Sequence, residues 1–219
     1  MPSVSLIWIT PEAEQRIAYC ARVSNPSNQN NPNYAKLLRY CAENGHWSVF
    51  EMANMCVEIN TTRDISAQIL RHRSFSFQEF STRYSDTSQL GDVPLPDLRM
   101  QDKKNRQNSI RLEDAELTED QVSRIKDLQT EIDSLYRSST NLYNQMLSEG
   151  IAKECARKIL PLNTPTRLYA NGTLRSWIHY VQVRSHESTQ LEHRKIALAV
   201  KEIMKDNAPT VYEALLSGE

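Results

Sequence analysis

The chain has 219 residues, enough for one domain with a proper core and cramped for two, and its 26 basic and 27 acidic residues leave a formal net charge of -1. That balance argues against a general nucleic-acid or anionic-membrane binder, which would carry a net basic surface. No apolar run approaches the ~18 residues that span a bilayer. The start Met1-Pro2-Ser3-Val4-Ser5-Leu6 lacks a basic region followed by an apolar one, so a soluble, unprocessed cytoplasmic protein is expected.

In chain order, Val4–Ile9 reads as a strand. Thr10-Pro11-Glu12 then offers an N-cap, a proline for the first helical turn and an acid suited to the helix dipole, opening a helix through about Arg22. After a polar loop over Asn25–Asn33, the spacing of Ala35, Leu38, Cys41 and Ala42 predicts a second helix, closed by Gly45. Ala53, Met55, Val57 and Ile59 alternate with Asn54, Cys56, Glu58 and Asn60, the pattern of a half-buried strand. Thr62 is placed to cap a short helix carrying Ile65, Ile69 and Leu70, whose last turn delivers Arg71, His72 and Arg73. If Glu79 to Arg83 is extended, Glu79, Ser81 and Arg83 point to one side.

Asp86 to Leu117 is polar, contains Pro94 and Pro96 and shows weak periodicity, leaving loop and short helix both open. Thr118 and Gln121 form a capping box for a long helix with Val122, Ile125, Leu128, Ile132, Leu135, Leu142 and Met146 at helical spacing, ended by Gly150. A short helix over Ile151–Leu160 stops at Pro161, a strand covers Thr166–Ala170, and Asn171-Gly172 makes a turn. Thr173 caps a helix carrying Arg175, Trp177, Ile178, His179 and Val181, and Thr189 with Glu192 forms another capping box before the last main helix. No internal repeat is evident. Cys20, Cys41, Cys56 and Cys155 form no C-x-x-C pair, so neither a zinc site nor a disulfide framework is suggested. Cys41, Cys56 and Cys155 sit in apolar patterns and are expected to be buried, reduced thiols.

The chemistry concentrates between Arg71 and Tyr84. Three arginines, a histidine, a glutamate, three serines and four aromatics fall within fourteen residues, a mixture that neither helical nor strand periodicity explains. Arginine pairs bidentately with phosphate or carboxylate, hydroxyls fill remaining oxygen sites, and aromatic faces stack on flat rings. Phosphate, sugar and base together describe a nucleotide. Taken alone, Arg71, His72 and Arg73 are also what a helix C-terminus favours, and Glu79 and Arg83 would neutralise each other.

Read as R-H-R-x-x-S-x-Q-E-x-S-x-R-Y, the stretch closely resembles the signature of flavin-dependent thymidylate synthases, carried here by Arg71, His72, Arg73, Ser76, Gln78, Glu79, Ser81, Arg83 and Tyr84. Many members have Asn at the position of Gln78. Gly45-His46-Trp47-Ser48-Val49-Phe50-Glu51 is similar to the family's G-H-x-S/T-x-F-E element, and Asn171 to Trp177 with the later Arg184 looks like its second flavin and substrate region. The resemblance implies FAD contacts at His46, Ser48, Arg71, His72, Arg73, Glu79, Thr173, Leu174, Arg175 and His179, with Glu51 in support. It implies dUMP contacts at Gln68, Arg71, Glu79, Ser81, Arg83, Arg157 and Arg184. NADPH and 5,10-methylenetetrahydrofolate would be co-substrates, and family members are homotetramers with shared active sites.

The expected fold is α+β, a single domain over residues 1–219 with a mainly antiparallel sheet flanked by long helices. The helix from Thr118 is the candidate for burial between chains. With five glycines the chain holds no G-x-G-x-x-G or Walker motif, so neither nucleotide cofactor sits in a Rossmann or P-loop cradle. Uracil is a poor nucleophile at C5, and a cation that stabilises the anion formed at N3 pushes electron density there; Arg184 is the catalytic candidate by resemblance. Ser81 as a nucleophile would need a base and an orienting group, and the sequence offers no such triad. Two other readings stand beside this one: a single-stranded nucleic-acid binder using Arg71–Tyr84 for charge and stacking, and a purely structural helical assembly protein.

Overall fold

The computed structural model describes residues 2–217. Strands β1 (Ser3–Ile9), β2 (Asn54–Thr62), β3 (Ser76–Glu79) and β6 (Pro165–Thr173) form one sheet in the order β1-β2-β6-β3, and β4 (Arg99–Gln101) pairs antiparallel with β5 (Ser109–Arg111) in a separate ribbon. The helices are α1 (Ala13–Ala21), α2 (Ala35–Glu43), α3 (Arg63–Ile69), α4 (Glu119–Ser148), α5 (Lys153–Ala156), α6 (Leu174–Arg184), α7 (Leu191–Asn207) and α8 (Pro209–Leu215). The α+β expectation holds. Contacts divide the chain into two compact units: one takes the stretch up to Asn60, Gln68–Gln78 and the stretch from Leu168 onward, and the other takes Thr61–Ala67 and Glu79–Arg167.

In the first unit β1 and β2 pair antiparallel with Val4 opposite Ile59 and Leu6 opposite Val57, and the register slips between Leu6 and Trp8 so that Ile7 is the extra residue of a bulge. Met55, Val57 and Ile59 are fully buried, as the alternation requires, and Leu168 and Ala170 of β6 are buried on the same period. Also buried are Trp177, Ile178, Tyr180 and Val181 of α6 and Ile196, Ala197, Val200 and Met204 of α7; α6 packs on α7, α7 on β1, and Trp177 Nε1 donates to Met55 O at 2.9 Å. Helix α2 ends in a Schellman motif: the Gly45 amide bonds Ala42 O at 3.3 Å and the His46 amide bonds Cys41 O at 2.8 Å, with Gly45 at φ 68°. Glu14 on α1 is buried and its carboxylate accepts from the Val211 amide at 2.8 Å, capping the first turn of α8.

The second unit is organised by α4, whose thirty residues span about 45 Å. The Thr118–Gln121 capping box forms as expected, and the far end closes in a second Schellman motif at Gly150 (φ 78°), with Gly150 N on Leu147 O and Ile151 N on Met146 O. Tyr143 is buried, but Val122, Leu128, Leu135 and Leu142 remain exposed, Leu135 by 64%.

Several local expectations are corrected. Thr10 does not cap α1: its amide and hydroxyl bond Asn54 O and its Oγ1 accepts the Asn54 amide, so β2 claims it and the helix starts late, behind Glu12 in a left-handed conformation. Leu70 to Arg73 lie beyond α3 in turns rather than in its last turn. The extended stretch ends at Glu79; the Tyr84 and Ser85 amides both bond Ser81 O, closing a turn that takes Ser81 and Arg83 off any common strand face. The open region from Asp86 holds the β4–β5 ribbon.

Asn171 and Gly172 continue β6 instead of turning. At Gly172 a Cβ would lie 2.5 Å from Phe75 Cδ1, so the glycine makes room for a ring. The Thr189 hydroxyl donates to Val183 O, and Gln190 is the residue before α7, so that capping box does not form. Cys41 and Cys56 are buried with their thiols pushed up by burial, whereas Cys155 is exposed because the one-turn α5 buries Ala156 instead. Among the described residues no helix is long and apolar enough to cross a membrane.

Candidate active site

Three groups of expected residues emerge. The first gathers around the end of α6. Thr173 caps that helix, its Oγ1 accepting the Ser176 amide at 3.2 Å, and eleven residues later Arg184 falls in the last turn. Arg184 Nε donates to His72 Nε2 at 2.9 Å. Arginine offers only donors, so His72 Nε2 must carry a lone pair and the imidazole is neutral with its proton on Nδ1. Its pKa is lowered to about 4, first by burial, then by the Arg184 charge, then by His179. The His72 ring meets Tyr180 edge-on at 5.0 Å between centroids.

Beside this pair a polar chain runs from a buried histidine to the surface. His193 of α7 is fully enclosed, its Nδ1 is 3.3 Å from Gln68 Oε1, and Gln68 Nε2 donates to Gln190 Oε1 at 2.7 Å. Burial, then Arg184 and His72, lowers the His193 pKa to about 4. Burial raises the Tyr180 phenol. Among the described residues Tyr180 Oη, His193 Nε2 and Asn171 Oδ1 are buried with no hydrogen-bond partner. Sequence reasoning named Gln68, His72 and Arg184 but missed His193, Tyr180 and Gln190. His193 sits on the same α7 face as Ile196, Ala197 and Val200, where a histidine carries no sign that separates it from core.

The second group lines a cavity of about 580 Å³ whose walls include Trp47, Glu51, Ser74, Arg175, Ile178 and His179. Arg175 NH1 pairs with Glu51 Oε1, and Arg175 and His179 share a helical face as their spacing requires. That volume is typical of a small-molecule site and suits one ring system of a dinucleotide. The flat faces of Trp47 and His179 and the Arg175 guanidinium are the donor set that an isoalloxazine or adenine and its phosphates need, so these residues fit a flavin. His46 is exposed against Tyr40, and Ser48, Arg71 and Arg73 are exposed; Leu174 is core, its amide bonded to Ala53 O.

The third group belongs to the second unit. Glu79 Oε1 accepts from Ser66 Oγ at 2.7 Å and from Thr166 Oγ1 at 2.9 Å, both donors buried. Arg157 NH1 donates to Thr82 Oγ1 at 3.2 Å, and Arg83 pairs with Glu154 at 3.0 Å. Ser81 is exposed within its turn.

The model of the family described as thymidylate synthase complementing protein matches residues 5–210, running through both units. A flavin-dependent thymidylate synthase of Synechocystis sp. is 54% identical over 202 residues, covering 92% of this chain and 89% of the relative. The chain belongs to the flavin-dependent thymidylate synthase family. A probable flavin-dependent thymidylate synthase of Paramecium bursaria Chlorella virus 1 is 51% identical over 93% of this chain and 90% of its own length. Among solved structures, a UMP/dUMP methylase from Streptomyces cacaoi bound with 5-Br dUMP superposes with a TM-score of 0.77, covering 98% of this chain and 94% of that one; at 24% identity it speaks to the fold. Membership of this enzyme family does not favour the single-strand-binding reading.

Proposed function

We propose that the chain is a flavin-dependent thymidylate synthase that reductively methylates dUMP to dTMP with 5,10-methylenetetrahydrofolate as carbon donor, FAD as cofactor and NADPH as electron source. The observation that carries this reading is the Arg184 guanidinium, held through Nε by a neutral histidine of the R-H-R motif. Among the described residues no protein group bonds its two terminal nitrogens. They are free to take the developing charge of a uracil ring.

In the proposed reaction uracil N3 gives up its proton and Arg184 stabilises the anion, which raises electron density at C5. C5 bonds to the methylene carbon as one of its two C–N bonds to the folate breaks; loss of the C5 proton then expels tetrahydrofolate through the second C–N bond, a hydride completes the methyl group, and N3 regains a proton. Bound FAD, once reduced by NADPH, would supply that hydride. Arg175, His179, Trp47 and Glu51 would hold it, with His46, Ser48, Arg71, His72, Arg73, Glu79, Thr173 and Leu174 assigned to the same cofactor by resemblance. Gln68, Arg71, Glu79, Ser81, Arg83 and Arg157 are assigned to dUMP alongside Arg184. Each charge-assisted hydrogen bond to phosphate contributes about 1.5 to 3 kcal/mol, so a few position the nucleotide without a covalent tether.

Residues 1–219 act as one catalytic domain in a cytoplasmic homotetramer with shared sites. The exposed Leu128, Leu135 and Leu142 on α4 support burial of that helix between subunits. The reading is tested by an anaerobic assay of dTMP formation from dUMP and methylenetetrahydrofolate with chemically reduced protein. Yellow protein that forms dTMP is expected; folded, colourless protein that cannot be reconstituted with FAD refutes the reading. A monomer by light scattering at micromolar concentration refutes the tetramer.

A further inference from the structure

Resting on the thymidylate synthase reading, we propose that His72 is the positioning residue of Arg184: its imidazole accepts the Nε–H, fixes the plane of the guanidinium and leaves both terminal nitrogens to the substrate. The bond is 2.9 Å long and its polarity is not negotiable, since only His72 Nε2 can accept. The imidazole is itself held on several sides. Tyr180, Phe75 and His193 meet it edge-on at centroid distances of 5.0, 6.3 and 6.3 Å, with interplanar angles of 74°, 81° and 89°. Phe75 in turn packs on Trp177 at 4.4 Å and occupies the space that Gly172 leaves open.

The surroundings also keep the acceptor an acceptor. Burial, Arg184 and His179 together hold the His72 pKa near 4, so the imidazole stays unprotonated across the physiological range. The Arg184 Nε–H goes to His72 and not to His193, whose Nδ1 faces Gln68. An arginine side chain left to itself samples many rotamers, and a guanidinium that must be ordered when the substrate arrives loses part of its effect on the transition state. His72 removes that cost before binding. The residue therefore acts on the chemistry through Arg184, a role separate from the cofactor contact that the motif implies for it.

The test is a double-variant cycle with His72→Phe, His72→Gln, Arg184→Ala and His72→Phe/Arg184→Ala on flavin-loaded protein. Single-turnover dTMP formation, flavin absorbance and nitrogen-15 NMR of the Arg184 Nε–H are read together. His72→Phe keeps ring volume without an acceptor and, on protein saturated with flavin, is expected to lose solvent protection of the Nε–H and slow turnover at saturating dUMP about 10- to 100-fold. His72→Gln, whose amide oxygen accepts a hydrogen bond, is expected to recover most of that loss. In the Arg184→Ala background His72→Phe should cost nothing further. Multiplicative losses in the double variant, or an Nε–H that stays protected in His72→Phe, overturn the proposal. If His72→Phe does not fold, the wild-type resonance and His72→Gln decide it: an unprotected wild-type Nε–H overturns it and a protected one, with activity in His72→Gln, supports it. Wild-type protein that makes no dTMP while showing the protected Nε–H refutes the functional reading and leaves the pair standing.

Discussion

Arg184 and Arg83 are both assigned to the same nucleotide, yet the fold treats them in opposite ways. Arg184 is half-buried, bonded through one nitrogen to a neutral imidazole, with enclosed aromatic rings behind that imidazole. Arg83 stands on a turn with 65% of its side chain exposed and pairs with a carboxylate that is itself 52% exposed. A neutral partner orients a cation without cancelling its charge, and low surrounding polarity makes that charge count. An exposed carboxylate partner gives up a cation readily, because such pairs contribute about 0 to 1 kcal/mol and are screened by salt. The first environment suits stabilising a transition state, and the second suits capturing an anion from solution.

The sharpest way to break that contrast is Arg184→Ala. Removing a preorganised charge-stabilising donor costs about 10²- to 10³-fold in turnover, so dTMP formation should fall by at least that much. Flavin absorbance should persist, since Arg184 does not belong to the cavity lined by Trp47 and Arg175. Full turnover by this variant would remove Arg184 from the chemistry.

Acid should undo the buried side selectively. His193 and His72 both have folded pKa values near 4, below the usual 6.5. Between those values the unfolded chain binds more protons than the folded one, so stability falls as pH drops from 6.5 toward 4 and levels off below 4. For the enclosed His193, facing Arg184 and His72 with Tyr180 beside it, the loss is about 2 to 3 kcal/mol. Urea unfolding at stepped pH should show a shallower slope in His193→Gln than in wild type; an identical slope would mean that the histidine titrates normally.

Gly172→Ala probes the same side through packing. The new methyl would stand 2.5 and 2.7 Å from Phe75 ring carbons, and Phe75 is one of the walls of His72. Overpacking of this kind costs about 1 to 3 kcal/mol, read as a lower denaturant midpoint. Adding Phe75→Leu should recover part of it. Were Gly172→Ala neutral, the ring would be free to yield and the aromatic wall would not be rigid.

What could be read in advance divides along a physical line. Gly45, Gly150 and the Thr118–Gln121 box end or begin helices through bonds to neighbours a few residues away, so their signals survive in the bare sequence. Thr10 and Gly172 carry equally good local signals and are used otherwise, because Asn54 and Phe75 reach them from afar, while Thr189 turns its hydroxyl back to Val183 O. The β4–β5 ribbon stayed hidden since three-residue strands are too short to show alternation. At the site, Arg184 and Arg83 were nameable through family resemblance, whereas His193 looks like any enclosed residue of α7. No local pattern announces that one arginine will be half-buried and the other exposed; only the tertiary fold decides it.

The smallest effect tests the exposed side. Glu154→Gln removes the carboxylate from Arg83 while keeping shape and helix propensity, and the pair is too solvated to matter for folding, so the thermal midpoint should stay within about 2 °C. If Glu154 merely competes with a phosphate for Arg83, releasing the arginine should tighten dUMP binding, lowering KM about two- to threefold in dilute buffer. That gain should disappear at high salt, where the freed charge is screened anyway. If Glu154 instead orients Arg83, KM rises in the variant and the rise persists in salt. In that case the surface arginine would be held for its task as firmly as the half-buried one, and the contrast between capture and catalysis would fail.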